Sequence, residues 1–132
     1  MRRYHWDHIH YRTADPEAIA SFFEHFFGAS VKRGVYPPGT LYPGQKRITI
    51  DAGGQRILLA PKHPDDPTGD APAFPHYGLE HIGFTVDDVD AACDELRAKG
   101  ADISIGPLTR SPGLRLAFLR GPEGIMVEIV QE

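Results

Sequence analysis

The sequence predicts an α+β fold made of two βαβββ modules, and three observations lead to this prediction. An acidic residue followed by His-Ile occurs twice, at residues 7–9 and 80–82. Each copy is followed by a helical pattern that ends at Gly-Ala, and each helix by three strand-like runs. His8 and His81 are 73 residues apart, and Gly28 and Gly100 are 72 apart, so the two halves align to within one residue.

A short alternating strand opens each half, and a helix with clear end signals follows it. In the first half Asp15 is suited to cap the helix, Pro16 to its first position and Gly28 to its end. In the second half we expect Asp87 or Asp88 to cap the helix and Gly100 to end it. Apolar residues at helical spacing give each helix a buried face. They are Ile19, Phe22, Phe23, Phe26 and Phe27 in the first helix and Val89, Ala92, Cys93 and Leu96 in the second.

Three strands are expected after each helix, separated by turns rich in Gly and Pro. The predicted strands are Val31–Tyr36, Arg47–Asp51 and Gln55–Ala60 in the first half, and Asp102–Ile105, Leu114–Arg120 and Ile125–Val130 in the second. We expect turns at Gly53-Gly54, at its counterpart Gly121-Pro122-Glu123-Gly124, and at Gly106-Pro107.

Residues 1–132 are predicted to form one domain, with module one at 4–60, a linker at 61–78 and module two at 79–132. The linker contains five prolines and shows no periodicity, so it is expected to be an inter-module linker or a lid loop. A half of about 60 residues is marginally stable alone. The two sheets are therefore expected to share one core or to pair with a second chain.

Composition bounds the class of protein. The net charge is −4 and no basic cluster is longer than a pair such as Lys46-Arg47, which argues against a nucleic-acid partner. A single cysteine, Cys93, excludes an intrachain disulfide and favours a reducing, cytoplasmic setting. No stretch approaches the roughly 18 apolar residues of a membrane span. We therefore expect a soluble protein with neither a nucleic-acid nor a membrane partner.

Three residues are the main candidates for chemistry. Glu128 lies in the apolar run IMVEIV, aligns with Leu58 of the first half, and is costly there unless it is paired, metal-bound or turned outward at an edge. A lone strand histidine is more often structural than a ligand. His8 and His81, however, occupy corresponding positions of a repeat. If the modules pack with pseudo-twofold symmetry, these two imidazoles and Glu128 converge.

The DHI and EHIGFTVDDVDAA stretches, with FLRGPEGIMVEIVQ at the end, resemble the vicinal oxygen chelate superfamily. This superfamily includes glyoxalase I, methylmalonyl-CoA epimerase, extradiol ring-cleaving dioxygenases and bleomycin- or fosfomycin-resistance proteins. The resemblance covers nearly the whole chain. It implies paired βαβββ modules in a cupped mixed β-sheet, and a homodimer in which modules are sometimes swapped between chains.

The resemblance also implies a metal site formed by His8, His81 and Glu128. The fourth family position is Leu58, which cannot bind a metal. Two histidines and one carboxylate suit a divalent ion such as Fe(II), Mn(II), Ni(II), Co(II) or Zn(II). The open positions suit a small substrate that chelates through vicinal oxygens, in ring-cleaving dioxygenase or lyase/isomerase chemistry. The alternative is a metal-free small-molecule binding protein of the bleomycin-resistance type.

His10 follows His8 by two residues, so both face the same side of a strand, about 7 Å apart. We assign His10 to proton transfer as a catalytic residue or to support of the metal site, and a pocket-lining or interface histidine fits equally well. Its counterpart in module two is Gly83. Arg56 could bind a substrate carboxylate, although a surface charge is favoured. Further candidates to line the pocket are Thr49, Phe118 and Arg120.

Overall fold

The computed structural model describes residues 1–131, which form two compact units: unit 1, Met1–Gly69, and unit 2, from Asp70 onward. Both units follow the order βαβββ, which confirms the predicted α+β class. Unit 1 comprises β1 (Ile9–Arg12), α1 (Pro16–Phe27), β2 (Ser30–Val35), β3 (Lys46–Ala52) and β4 (Gln55–Ala60). Unit 2 comprises β5 (Ile82–Thr85), α2 (Val89–Ala98), β6 (Asp102–Ser111), β7 (Leu114–Arg120) and β8 (Met126–Gln131).

Each unit contains a four-stranded mixed sheet, with strand orders β1-β4-β3-β2 and β5-β8-β7-β6. The first strand of each unit pairs in parallel with the last, and the remaining pairs are antiparallel. His10 consequently lies opposite Leu58 in unit 1, and Gly83 lies opposite Glu128 in unit 2. This register confirms that Leu58 and Glu128 occupy equivalent positions.

The helices begin and end where their capping residues predict. The side chain of Asp15 accepts a hydrogen bond from the backbone N–H of Ala18 at 3.1 Å, and Gly28 ends α1 in the left-handed region with a φ of 64°. Asp88, rather than Asp87, caps α2 by accepting from the N–H of Ala91 at 3.0 Å.

Each helix covers one face of its own sheet. Helix α1 packs against β2 and β3, and α2 packs against β6, β7 and β8. Phe23 and Cys93 are both 0% exposed, as the helical spacing predicts, and burial raises the pKa of the Cys93 thiol. Because strand side chains alternate between faces, every second residue lies on the face opposite the helix. That face, which we call the open face, carries the candidate chemistry.

The predicted turn at Gly106-Pro107 is wrong, because β6 continues through these residues to Ser111. The pairing of β6 with β7 shifts register around this point, as in a β-bulge. Gly106 has a φ of 80°, and a Cβ there would lie 2.7 Å from the carbonyl oxygen of Leu116. The glycine therefore allows the bulge rather than ending the strand.

Among the helices of residues 1–131, none has both the length and the apolar character needed to cross a membrane.

Candidate functional site

In unit 1 the candidate ligand His8 lies just before β1, and its Nδ1 is 2.6 Å from Oδ2 of Asp7. This hydrogen bond, together with the charge of Arg56, lowers the pKa of Asp7. Nη1 of Arg56 lies 3.8 Å from Oδ1 of the same carboxylate. A carboxylate that accepts from Nδ1–H selects the tautomer whose Nε2 carries the lone pair. In that tautomer Nε2 is the ring atom of His8 that could bind a cation.

His10 lies on β1, on the open face, and its ring centroid is 6.2 Å from that of His8. Partial burial, followed by the neighbouring charges of Arg12 and His8, lowers the pKa of His10. The structure therefore places the two imidazoles side by side, as their spacing predicts, whereas the catalytic role assigned to His10 stays a prediction.

In unit 2 the candidate ligand His81 lies just before β5 and has a carboxylate on each ring nitrogen. Its Nδ1 is 2.9 Å from Oε1 of Glu80, and its Nε2 is 3.3 Å from Oε2 of Glu128. The hydrogen bond from His81, helped by one from the backbone N–H of His76, lowers the pKa of Glu80. The ring of Phe118 packs against His81 edge-on, with centroids 4.9 Å apart.

The separation of two side-chain atoms in unit 2 matches that of two ligands on one divalent cation. If Nδ1–H of His81 is donated to Glu80, its Nε2 lone pair faces Oε2 of Glu128, so two acceptors lie 3.3 Å apart. Such a pair is favourable only when a proton or a cation lies between the two atoms. Nitrogen and oxygen ligands bound at about 2.0–2.2 Å to one metal ion are separated by roughly 3–3.5 Å. The observed separation lies in that range.

Glu128 is held inside the sheet rather than at its edge. β8 lies between β5 and β7, and the Glu128 side chain is only 20% exposed. Gly83 is its partner on β5, and a Cβ at Gly83 would lie 3.4 Å from Oε2 of Glu128. Of the alternatives for Glu128, the structure therefore excludes a position at the edge of the sheet. The missing side chain at Gly83 leaves room for the carboxylate.

The predicted ligands are divided between the units: His8 belongs to unit 1, and His81 and Glu128 belong to unit 2. Within either unit, the described residues contain no group of three or more His, Cys, Asp or Glu side chains arranged to hold a metal ion. The set of three ligands therefore stays a prediction. Leu58, the fourth family position, lies on the open face of unit 1.

The open face of unit 1 also carries a cavity of about 810 Å³. Its lining includes Thr49 and Arg56, which the sequence singled out, and Lys32 and Arg47, which it did not. The sequence signal that could have identified this lining is the alternation in KRITIDA, where polar Arg47, Thr49 and Asp51 alternate with buried isoleucines. In unit 2 Phe118 is buried beside Phe74, and Arg120 is exposed.

The duplicated βαβββ units, each with a carboxylate-bound histidine before its first strand, define a class of protein. The chain belongs to the Glyoxalase/Bleomycin resistance protein/Dioxygenase superfamily, whose family model matches residues 5–129. This match confirms the resemblance found in the sequence.

Two relatives and one solved structure illustrate the similarity. The chain is 28% identical over 129 residues to the uncharacterized protein YwkD of Bacillus subtilis, covering 95% of this chain and 94% of that protein. It is 39% identical over 57 residues to a probable lactoylglutathione lyase of Vibrio cholerae, which covers 39% of this chain and only 38% of the length of that relative. A structure of FosX, a fosfomycin resistance protein of Listeria monocytogenes, in complex with Mn(II) and 1S,2S-dihydroxypropylphosphonic acid, is 17% identical with a TM-score of 0.65. That alignment covers 97% of this chain and 90% of FosX, and it bears on the fold alone.

Proposed function

We propose that this protein is a metal-dependent enzyme that acts on a small substrate chelating the metal through vicinal oxygens. The observation that carries the proposal is the approach of Nε2 of His81 to Oε2 of Glu128 at 3.3 Å, with Glu80 on the other ring nitrogen of His81. The Asp7–His8 pair of unit 1 repeats the carboxylate–histidine arrangement of Glu80–His81. A probable lyase among the relatives and Mn(II) in the FosX structure agree with this assignment.

In this proposal His8, His81 and Glu128 hold one divalent ion, with Fe(II), Mn(II), Ni(II), Co(II) and Zn(II) as the candidates. When bound, the ion supplies a Lewis acid that polarises the substrate oxygens. Asp7 and Glu80 orient the imidazoles of the histidines that follow them. His10 gives or takes a proton at its imidazole, close to the ring of His8. Both units together act as one functional domain.

Two reaction types are compatible with this ligand set. Lyase or isomerase chemistry comes first, because the chain is small and a matched relative carries a lyase name. Ring-cleaving dioxygenase chemistry comes second, because Leu58 leaves two histidines and one carboxylate, the facial set of non-haem iron enzymes. Oxygen uptake by the Fe(II)-loaded protein with catechol distinguishes them, since only the dioxygenase consumes oxygen.

Metal binding tests the proposal directly. Protein stripped with a chelator is titrated with Mn(II), Ni(II) and Zn(II) by calorimetry. We expect one ion per pair of units, and we expect His8→Ala and Glu128→Ala each to abolish binding while circular dichroism and thermal unfolding stay close to wild type. His25→Ala is the matched control, because His25 is exposed on α1. Wild-type protein that binds none of these ions, or alanine variants that bind normally, would contradict the proposal and favour the metal-free binding protein.

We also propose a homodimer in a reducing, cytoplasmic compartment. Large apolar side chains are exposed in both units, which is unfavourable in water unless a partner covers them. They are Tyr4 at 89% and Trp6 at 73% in unit 1, and Tyr77 at 103% and Leu79 at 94% in unit 2. Native mass spectrometry measures the assembly, and a monomer at micromolar concentration would contradict it.

A further inference from the structure

The cavity on the open face of unit 1 is cationic in a chain that is acidic as a whole. The net charge of the protein is −4. The side chains that line this cavity from β2, β3 and β4 nevertheless include several cations and a single carboxylate. They include Lys32, Arg47, Arg56 and Asp51, and the uncharged Thr49 and Leu58 line the same cavity. A face whose sign opposes that of the whole chain selects ligands by their charge.

Two of these cations have no carboxylate partner among the described residues. Arg56 lies 3.8 Å from Asp7, and Oδ1 of Asp51 accepts the backbone N–H of Gly54 at 3.0 Å. Arg33, at the rim, is bound by two glutamates of α1. Lys32 and Arg47 have no ion pair within residues 1–131. Their charges are therefore available to a ligand.

Arg47 is positioned by a cation–π contact with an aromatic ring. Its guanidinium lies 5.8 Å from the ring centroid of Tyr36. Tyr36 packs against Tyr42 with centroids 5.2 Å apart and donates from its hydroxyl to the carbonyl of Leu59 at 3.3 Å. Gly34, opposite Arg47 on β2, has no side chain to compete for the space. An arginine positioned in this way loses less conformational entropy when it binds an anion.

We propose that this face binds an acidic group of the substrate, a carboxylate or a phosphonate, through Arg47 and Lys32. This inference rests on the proposed function and specifies its substrate class. Arg47 offers a planar pair of donors that matches an oxyacid, and Lys32 adds a point charge. Thr49 pairs with Lys32 in the register and adds a hydroxyl from the same face.

The strand register also indicates the length of the substrate and its direction across the sheet. One line across the sheet runs through Lys32, Thr49, Leu58 and His10. It spans three strand spacings, or about 14 Å. The acidic group is thus bound at the β2 end of the sheet, at the far end of the substrate from the group that reacts near His8 and His10. The substrate class is a small molecule with an acid at one end and chelating oxygens at the other.

Ligand titrations of the metal-free protein, followed by ¹H–¹⁵N NMR, test this inference. The probes are 3-phenylpropionate, 2-phenylethylphosphonate and the neutral 3-phenylpropanamide, which carry the same 2-phenylethyl group and differ in charge. We expect at least one anion to bind about tenfold or more tightly than the amide and to shift the amide signals of β2 and β3. The tighter anion identifies the acid as carboxylate or phosphonate.

The variants locate the site. Arg47→Gln should weaken binding of the anion about tenfold and Lys32→Gln by less, and Arg47→Lys should restore it only in part because the paired donors are lost. Lys62→Gln removes an exposed charge of the same unit outside the cavity and should change nothing. The inference is overturned if the amide binds as tightly as both anions, or if Lys62→Gln and Arg47→Gln have equal effects.

Because these titrations omit the metal, they separate the two proposals. A protein that binds a metal but does not distinguish the anions from the amide overturns the inference about the acidic group alone. A protein that distinguishes them but binds no metal retains its acid-binding face and loses the proposed enzyme function.

Discussion

The two units share one fold and differ in the chemistry of their open faces. In unit 1 that face is charged and accessible, with Lys32 and Arg47 exposed above the cavity. In unit 2 the corresponding face is mostly apolar, and other side chains of the same unit cover it. Its buried cluster is Leu116, Phe118 and Met126, and the partly buried Phe74, Ile105, Leu108 and Val130 pack against it. Glu128 is the one acidic residue on β8 within the described part of the chain.

The difference shows which positions the duplicated fold constrains. On the helix side both units must bury apolar side chains, so isoleucine, leucine and valine recur at matching strand positions. The opposite face is less constrained, since it is charged and accessible in unit 1 but apolar and covered in unit 2. His10 and Leu58 pair in unit 1 where Gly83 and Glu128 pair in unit 2, so the polar side chain lies on the first strand in unit 1 and on the last strand in unit 2.

The largest effect is expected from the buried helix positions, where the units are most alike. Phe23 and Leu96 are equivalent, 73 residues apart, and are 0% and 7% exposed. Phe23→Ala should lower the free energy of unfolding by about 3–5 kcal/mol, and Leu96→Ala by about 2–4 kcal/mol, because the smaller side chain leaves the smaller cavity. Urea denaturation measures both. Ser21→Ala, at an exposed position of α1, is the control, and a larger cost at Leu96 would reverse the comparison.

The carboxylates that bind the two histidines should differ in their effect on metal affinity. Glu80→Gln should weaken metal binding about 10–100-fold, because the imidazole of His81 loses its fixed tautomer. Asp7→Asn should have an effect at the lower end of that range, since the Asp7 side chain is 67% exposed and that of Glu80 only 26%. Calorimetric titration with Ni(II) measures the affinity, and imidazole ¹⁵N chemical shifts report the tautomer.

Glu95→Gln removes an exposed acid of α2 and serves as the control for those titrations. Unchanged affinity in both Glu80→Gln and Asp7→Asn would show that the histidines need no orienting carboxylate.

The smallest effect is expected from the ion pairs that join each helix to its sheet. In unit 2 Arg115 donates to both carboxylate oxygens of Asp90, at 2.6 and 2.8 Å, and this lowers the pKa of Asp90 below its usual 3.8. A lowered pKa in the folded state adds stability at neutral pH, and that stability is lost as the pH falls from 3.8 through the folded pKa. Asp90→Asn should therefore lower the melting temperature slightly at pH 7, and this cost should shrink as the pH falls below 3.8.

Unit 1 offers the comparison for this pH dependence. Glu17, whose pKa Arg33 lowers in the same way, shares that arginine with Glu24. Glu17→Gln should therefore cost less at pH 7 than Asp90→Asn, because Arg33 keeps its second partner. Melting curves recorded at pH 7 and pH 2 check both variants, and a larger cost for Glu17→Gln would contradict the assignment.

The sequence predicted the elements whose signals are local. Asp15, Pro16 and Gly28 mark the ends of α1 through their own capping geometry. Gly106-Pro107 was misread because the same pair suits a turn and a bulge. Only the partner strand, with the carbonyl of Leu116 close by, distinguishes the two.

The candidate site could be predicted only in part, because its residues are visible in the sequence but their distances depend on contacts between strands. The repeat marked His8, His81 and Glu128, but the distance from Nε2 of His81 to Glu128 depends on strand pairing. The hydrogen bonds of Asp7 and Glu80 depend on rotamers that a sequence does not specify. The cationic cavity was not predicted from the sequence. Lys46-Arg47 was treated only as a possible basic cluster for nucleic acids, whereas the alternation of β3 directs Arg47 to the open face.

The closed environment of Cys93 has a practical consequence for experiments on this chain. The only thiol is 0% exposed, and its raised pKa keeps the reactive thiolate scarce at neutral pH. Maleimide reagents should therefore leave the native protein unlabelled. Cysteines introduced on exposed turns can carry spin labels or fluorophores without prior removal of the natural one.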